Sequence, residues 1–111
     1  MKSNYALYLE EKSTRNIYED EYGFFTYESN PGGLYIADIF VREEFRGKGI
    51  AKEYDKLACA IAEELGYQYV VGSVVPGMSN STYSISIMLS HGYELYYNTN
   101  SVIYLRKKVG E

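Results

Sequence analysis

Arg46-Gly47-Lys48-Gly49 holds the densest potential chemistry in the chain. Two glycines alternate with two cations, after an apolar run and before a helix-period segment. Glycine has no Cβ to hold a bound group away from the backbone. The first turn of a helix offers free N–H groups and a partial positive charge. Together they make an anion site suited to a phosphate, with Arg46 and Lys48 adding charge. Many strand-to-helix connections use glycine only to turn, and that alternative stays open. The second candidate is Asp38, the one carboxylate inside the apolar run Leu34–Val41. Burial there is expected to raise its pKa toward that of a working base. The alternative is a structural carboxylate paired with a backbone or cationic partner. His91 is the single histidine and Cys59 the single cysteine. His91 is expected to cap carbonyls at a helix end. Cys59 is expected to be a small packing residue, because no positive partner stands near it in sequence.

The elements that must position these groups are legible around them. Leu34–Val41 reads as a strand buried on most of its surface. Arg42–Phe45 is a short charged turn. Ile50, Tyr54, Leu57, Ala58, Ile61, Ala62 and Leu65 then recur at helical spacing, and Gly66 suits the residue just past the helix end. Tyr67–Val75 is a second buried strand, stopped by Pro76-Gly77. Strand, helix and strand in this order predict a right-handed parallel crossover. Upstream, Met1–Asn4 is expected to fray and Tyr5–Glu10 to form a strand. Glu11–Asp20 is polar, with a turn or helix start at Ser13-Thr14. Tyr22–Glu28 reads as a strand, and Ser29–Gly33 as the turn of a hairpin or meander. Downstream, Asn80–His91 is ambiguous. Tyr83, Ile85, Ile87 and Leu89 alternate like a strand, while Ile85, Met88 and Leu89 fit a helix face with Asn80 or Ser81 as N-cap. Tyr93–Tyr97 and Val102–Lys107 read as strands joined by the polar turn Asn98–Ser101.

Composition narrows the function classes. At 111 residues, a single domain spanning residues 1–111 is expected. The net charge is 11 − 15 = −4, which argues against a nucleic-acid partner. One cysteine allows no internal disulfide and suggests a reducing compartment. No segment reads as a signal peptide or membrane span, so a cytoplasmic location with no membrane partner is the expectation. The chain carries 14 Tyr, 4 Phe and no Trp; the tyrosines read as amphipathic core and rim rather than a stacking surface.

Val41–Ala51 resembles the acyl-CoA site of the GNAT superfamily of N-acyltransferases. The family pattern is Arg or Gln, two residues, Gly, one residue, then Gly or Ala, after an apolar strand. Arg46, Gly49 and Ala51 fill it. The resemblance runs from Gly33 to the C-terminus and is most specific over Val41–Ala51. It implies an α/β (α+β) GNAT-like fold, with a mixed sheet of about six strands and two main helices. It also makes Asn80–His91 a helix ending at the Gly92-Tyr93 pair. The two strands flanking the first helix should splay, and the pantetheine arm should enter the gap.

The implied cosubstrate is acetyl-CoA, with no metal. Gly47, Lys48, Gly49, Ile50, Ala51 and Lys52 would hold the diphosphate with Arg46. Ile39, Phe40 and Val41 would align pantetheine and thioester, and Asn80 and Ser81 would contribute from the later helix. Asp38 would take a proton from the amine acceptor, directly or through water. Two departures follow. The family's acid tyrosine, four residues before the glycine, falls on Met88, which cannot donate a proton; Tyr83, Tyr93 or water could substitute. Only Tyr5–Tyr27 precedes the hairpin turn, leaving little room for the two helices that usually roof the acceptor site. An open site would suit a protein amine or completion by a homodimer. The function expected is acetyl-CoA-dependent N-acetyl transfer to an amine of a small molecule or protein. The alternative is a weak or inactive module of the same fold that binds CoA or a protein partner.

Overall fold

Pro31-Gly32 closes a tight hairpin between β2 (Gly23–Asn30) and β3 (Gly33–Val41), in which Asn30 pairs with Gly33. The Asn30 side chain accepts the Gly32 N–H at 2.9 Å, a local bond that favours the turn. Gly33 has φ +146°, and a Cβ there would run into the carbonyl of Tyr69. Glycine is therefore required where β3 first meets its neighbour. The structure is a computed structural model describing residues 3–12, 15–77 and 81–110; the side chains of residues 10, 12 and 81–84 are not described.

The remaining elements are α1 (Asn4–Lys12), β1 (Asn16–Glu19), a 3₁₀ turn (Glu43–Phe45), α2 (Ile50–Glu64), β4 (Tyr69–Val74), α3 (Ser81–Ser90), β5 (Glu94–Asn98) and β6 (Ile103–Lys108). Six strands form one mixed sheet in the order β1-β2-β3-β4-β6-β5. The predicted parallel crossover is present: β3 runs parallel to β4 with α2 between them in sequence. The other pairings are antiparallel.

Adjacent residues of β2 show how the two faces divide. Phe25 packs against Tyr54 of α2, ring centroids 5.5 Å apart. Phe24 packs against Tyr5 of α1 at 5.4 Å. α2 and α1 therefore cover opposite faces, as side-chain alternation requires. Beneath α2, Leu34, Ala62, Val70, Val74, Tyr93 and Leu105 form one core cluster, and Phe25, Tyr54 and Ala58 a second. Removing the fully buried Phe25 ring by Phe25→Ala is expected to destabilise the fold by about 3–5 kcal/mol.

The structure differs from the sequence expectations in two places. Tyr5–Glu10 lies within helix α1, not a strand, which gives three α-helices among the described residues rather than two. Ala, Leu and Glu are strong helix formers, and Ala6 and Leu9 bury one face at i, i+3 spacing. Ser3 Oγ accepts the Ala6 N–H at 3.1 Å and starts the helix, while Met1 and Lys2 lie outside the described residues. Within the polar stretch Glu11–Asp20, Asn16–Glu19 forms edge strand β1, too short to show a period; Ser13 and Thr14 lie outside the described residues. The segment ambiguous by spacing is helix α3, as the family resemblance implied, with its Ile85 and Met88 packed on the core over β4.

Candidate active site

β3 and β4 pair only at Leu34↔Val70 and Tyr35↔Val71, although β3 continues to Val41 and β4 to Val74. The strands part beyond that point, and a cleft of about 340 Å³ opens there. Ile36–Ile39 of β3 and Gly72–Val74 of β4 form its two edges, and Ala51, Tyr54, Asp55 and Ala58 of α2 its wall. Ile87, Met88 and His91 reach it from α3 and the turn that follows. The Tyr35 hydroxyl meets Ser73 Oγ at 2.7 Å across the point of separation.

Local sequence explains how the cleft edge is presented. A β-bulge at Ala37 breaks the alternation of β3: Thr26 pairs with Asp38, while Tyr27 pairs with Ile36. Without the extra residue, Asp38 would share the face of Leu34 and Ile36 under α2. With it, Asp38 turns to the α1 face. There its Oδ2 accepts from Thr26 Oγ1 and from Arg15 Nη1, both at 3.3 Å. Arg15 also approaches Glu28 at 3.6 Å. The expected burial of Asp38 is corrected: its side chain is 52 % exposed. A pKa raised by burial is therefore no argument for its role.

The bulge also settles which amides face the gap. The Asp38 N–H goes to Thr26 Oγ1 at 3.1 Å and the Arg42 N–H to Tyr22 O at 2.8 Å, both on the β2 side. Alternation then turns the Ile39 and Val41 N–H groups away from β2, toward the gap, and the Phe40 N–H toward β2.

At the cleft mouth, Gly47 (φ +77°) and Gly49 (φ +83°) hold left-handed conformations that favour glycine. A Cβ at either would meet nothing within 4 Å. Conformation, not packing, requires these glycines, and the space above them is open. The Glu53 N–H to Gly49 O bond at 3.1 Å is the first of α2, so the N–H groups of Ile50, Ala51 and Lys52 have no carbonyl partner within the helix. Lys48 and Lys52 are exposed. Arg46 is partly committed: its Nε donates to Val41 O at 2.9 Å, and its guanidinium lies over the Phe40 ring. The expected cradle residues are thus together at one helix end. Asn80 lies outside the described residues, and Ser81 opens α3 with its side chain not described.

Sequence reasoning missed Asp55. It sits in the stripe Ala51-Asp55-Ala58-Ala62 of α2 and is buried. The Tyr93 hydroxyl donates to its Oδ1 at 2.6 Å and Lys107 Nζ to its Oδ2 at 3.1 Å. Burial first, then the Asp55 charge, pushes the Tyr93 phenol far up. Nearby, the Tyr54 hydroxyl donates to Asp20, and burial followed by that carboxylate raises its phenol as well. Burial likewise raises the Cys59 thiol, as suits a packing residue. The signal for Asp55 was a carboxylate at an apolar helix position.

A parallel pair that parts over the glycine-lined start of a helix defines a GNAT-type acyltransferase. The chain belongs to the acetyltransferase (GNAT) family, whose model matches residues 8–93. It is similar to the IAA acetyltransferase of Bacillus cereus ATCC 14579, at 18 % identity and a TM-score of 0.65, over 79 % of this chain and 70 % of that one. It is also similar to a Bacillus subtilis acetyltransferase in complex with CoA, at 15 % identity and a TM-score of 0.71, over 93 % and 82 % of the two chains. A third likeness is to the PaiA N-acetyltransferase of Thermoplasma acidophilum in complex with coenzyme A. There the identity is 15 % and the TM-score 0.71, over 92 % of this chain and 65 % of that one. At these identities the likeness concerns the fold. Among curated proteins no sequence match was found. No helix of the described residues is long and apolar enough to cross a membrane.

The residues present fit a CoA-type cosubstrate. The open cradle over Gly47 and Gly49 admits a diphosphate to backbone N–H groups, and the cleft between β3 and β4 admits an extended arm.

Proposed function

We propose that the protein is an acetyl-CoA-dependent N-acetyltransferase that moves the acetyl group directly to an amine of a small molecule or protein. The observation that carries this reading is the parting of β3 from β4 beyond Tyr35 and Val71, beside the anion cradle of α2.

Acetyl-CoA, when bound, supplies the acyl group as a thioester. The first-turn amides of α2, with Gly47, Lys48, Gly49 and Lys52, hold the diphosphate, and the exposed guanidinium of Arg46 adds charge. Ile39 and Val41 present N–H groups into the gap, where they orient and polarise a carbonyl oxygen. Phe40 contributes packing under Arg46 rather than an amide. Asp38 stands on the other face of the sheet, so an acceptor amine reaches the gap from the α1 side. Both contacts of Asp38 fall on Oδ2, and Oδ1 has no hydrogen bond among the described residues. In this reading Oδ1 receives the amine's proton, directly or through water. Asn80 and Ser81 remain candidates at the start of α3, and a homodimer remains a candidate for completing the acceptor side. A cytoplasmic location suits the single unpaired cysteine.

A module that binds CoA without transfer is the second reading, and Met88 favours it by placing a thioether in the cleft. Calorimetric titration of acetyl-CoA into the protein, followed by a single-turnover assay against a panel of amines, separates the two. Micromolar binding with transfer supports the enzyme. Binding without transfer to any amine supports the module, and no binding removes both.

A further inference from the structure

Expulsion of a thiolate is easier when a proton reaches the sulfur, and the cleft holds six side chains with an exchangeable proton or a carboxyl group: Asp38, Tyr54, Asp55, Ser73, His91 and Tyr93. Five are committed elsewhere. The Tyr54 proton goes to Asp20 and the Tyr93 proton to Asp55. Ser73 is bound to Tyr35, and an aliphatic hydroxyl is a poor acid. Asp55 accepts from Tyr93 and Lys107, and Asp38 from Arg15 and Thr26, so both act as carboxylates.

His91 is different. Its backbone is fixed by N–H bonds to Ile87 O at 3.0 Å and Met88 O at 3.1 Å. The residue is half-buried and lines the cleft one helical turn beyond Met88, and its ring makes no hydrogen bond among the described residues. Imidazole changes charge between pH 5 and 8 and is a better proton donor than any phenol or alcohol here. The expected capping role is not seen among the described residues.

We propose that His91 is the proton donor to the departing thiolate, taking the part that Met88 cannot play. The inference rests on the acetyl-transfer reading above. As the acceptor nitrogen bonds to the acyl carbon, the carbon–sulfur bond breaks and its electron pair stays on sulfur. The imidazolium of His91 gives its proton to that sulfur and regains one from solvent. The amine's own proton leaves separately, toward Asp38. Tyr54 and Asp55 of α2 and Tyr93 line the same cleft as His91, and Lys107 of β6 lies against the neighbouring Gly92.

The test exploits the single histidine of the chain. The imidazole resonances of untagged protein are compared by NMR in complexes with CoA and with desulfo-CoA. The expected result is a ring-proton shift that is larger with CoA than with desulfo-CoA, because only CoA places a sulfur atom beside the ring. Steady-state kinetics of His91→Gln and His91→Asn give the second readout. The expected loss is about 100-fold in kcat, with KM for acetyl-CoA changed less than about twofold. The same ring-proton shifts in both complexes, or unchanged kcat in both variants, overturns the assignment while leaving CoA binding and transfer intact. Failure of the wild type to bind CoA overturns this inference and the acetyltransferase reading together.

Discussion

Asp55, in the second turn of α2, accepts the hydroxyl of Tyr93 at 2.6 Å, and this bond ties the helix over the cleft to the residue that leads into β5. Lys107 Nζ on the neighbouring β6 reaches the other carboxylate oxygen. A buried carboxylate at this point sets the spacing of α2, the sheet and the end of α3. Tyr93→Phe keeps the ring and removes the bond to a charged acceptor, so a loss of about 1.5–3 kcal/mol is expected in urea denaturation at pH 7. The folded phenol titrates well above the ordinary value near 10. Its contribution is therefore complete below pH 10 and lost as the pH rises past it. The gap between wild type and Tyr93→Phe should narrow at alkaline pH. An equal gap at pH 7 and pH 11 would remove the bond as its cause.

Asp20 anchors the adjacent residue of the same helix, Tyr54. It accepts from the hydroxyls of Tyr54 and Tyr18 and from the N–H groups of Tyr22 and Gly23. Burial alone would raise its pKa, but these bonds outweigh burial and hold it below the ordinary carboxylate range. A lowered folded pKa means stability that is present above the unfolded value near 3.9 and is lost as the pH falls through the folded one. Asp20→Asn should therefore be less stable than wild type at pH 7, with the difference shrinking below about pH 4. Thermal unfolding at pH 7 and pH 3 checks the sign.

Gly49→Glu places a side chain on a residue at φ +83° and a negative charge at the start of α2. Both act against an anion at that position. Binding of acetyl-CoA should fall at least about 100-fold by calorimetry, since charge repulsion and left-handed strain each contribute a kcal/mol or more. Gly49→Ala carries the strain without the charge and should fall less. Similar losses in the two variants would assign the effect to backbone geometry alone.

Asp38→Asn keeps the shape of the β3 edge and removes the charge beside Arg15. If Asp38 receives the amine's proton, kcat should drop about 100-fold or more while calorimetric binding of acetyl-CoA is unchanged. Thermal stability should change by less than about 1 kcal/mol, because the ion pair is exposed. A large stability loss with little effect on turnover would return Asp38 to a structural role.

The glycine turn and its helix were legible because they are local. Two glycines at left-handed φ, the apolar stripe of α2 and the Gly66 stop lie within about twenty residues of one another, and each follows from backbone sterics or helical period. The parallel crossover and the turn before β3 were readable for the same reason. The sheet order was not. β6 lies between β4 and β5, and nothing local in either strand says which neighbour it will take. Helix α1 was misread because six residues of mixed propensity acquire their state from the faces they bury. Asp38 was the strongest candidate by type, yet the one-residue bulge at Ala37 set its face and exposure, and a bulge depends on the partner strand. Asp55 stands far from the close pair His91 and Tyr93 along the chain. Only packing α2 and α3 against the same face brings them to one cleft. Local spacing by itself determined that a two-glycine turn opens a helix between two parallel strands. Tertiary structure decided which side chains meet beyond it, because side-chain contacts across a sheet are set by register and packing rather than by neighbours in sequence.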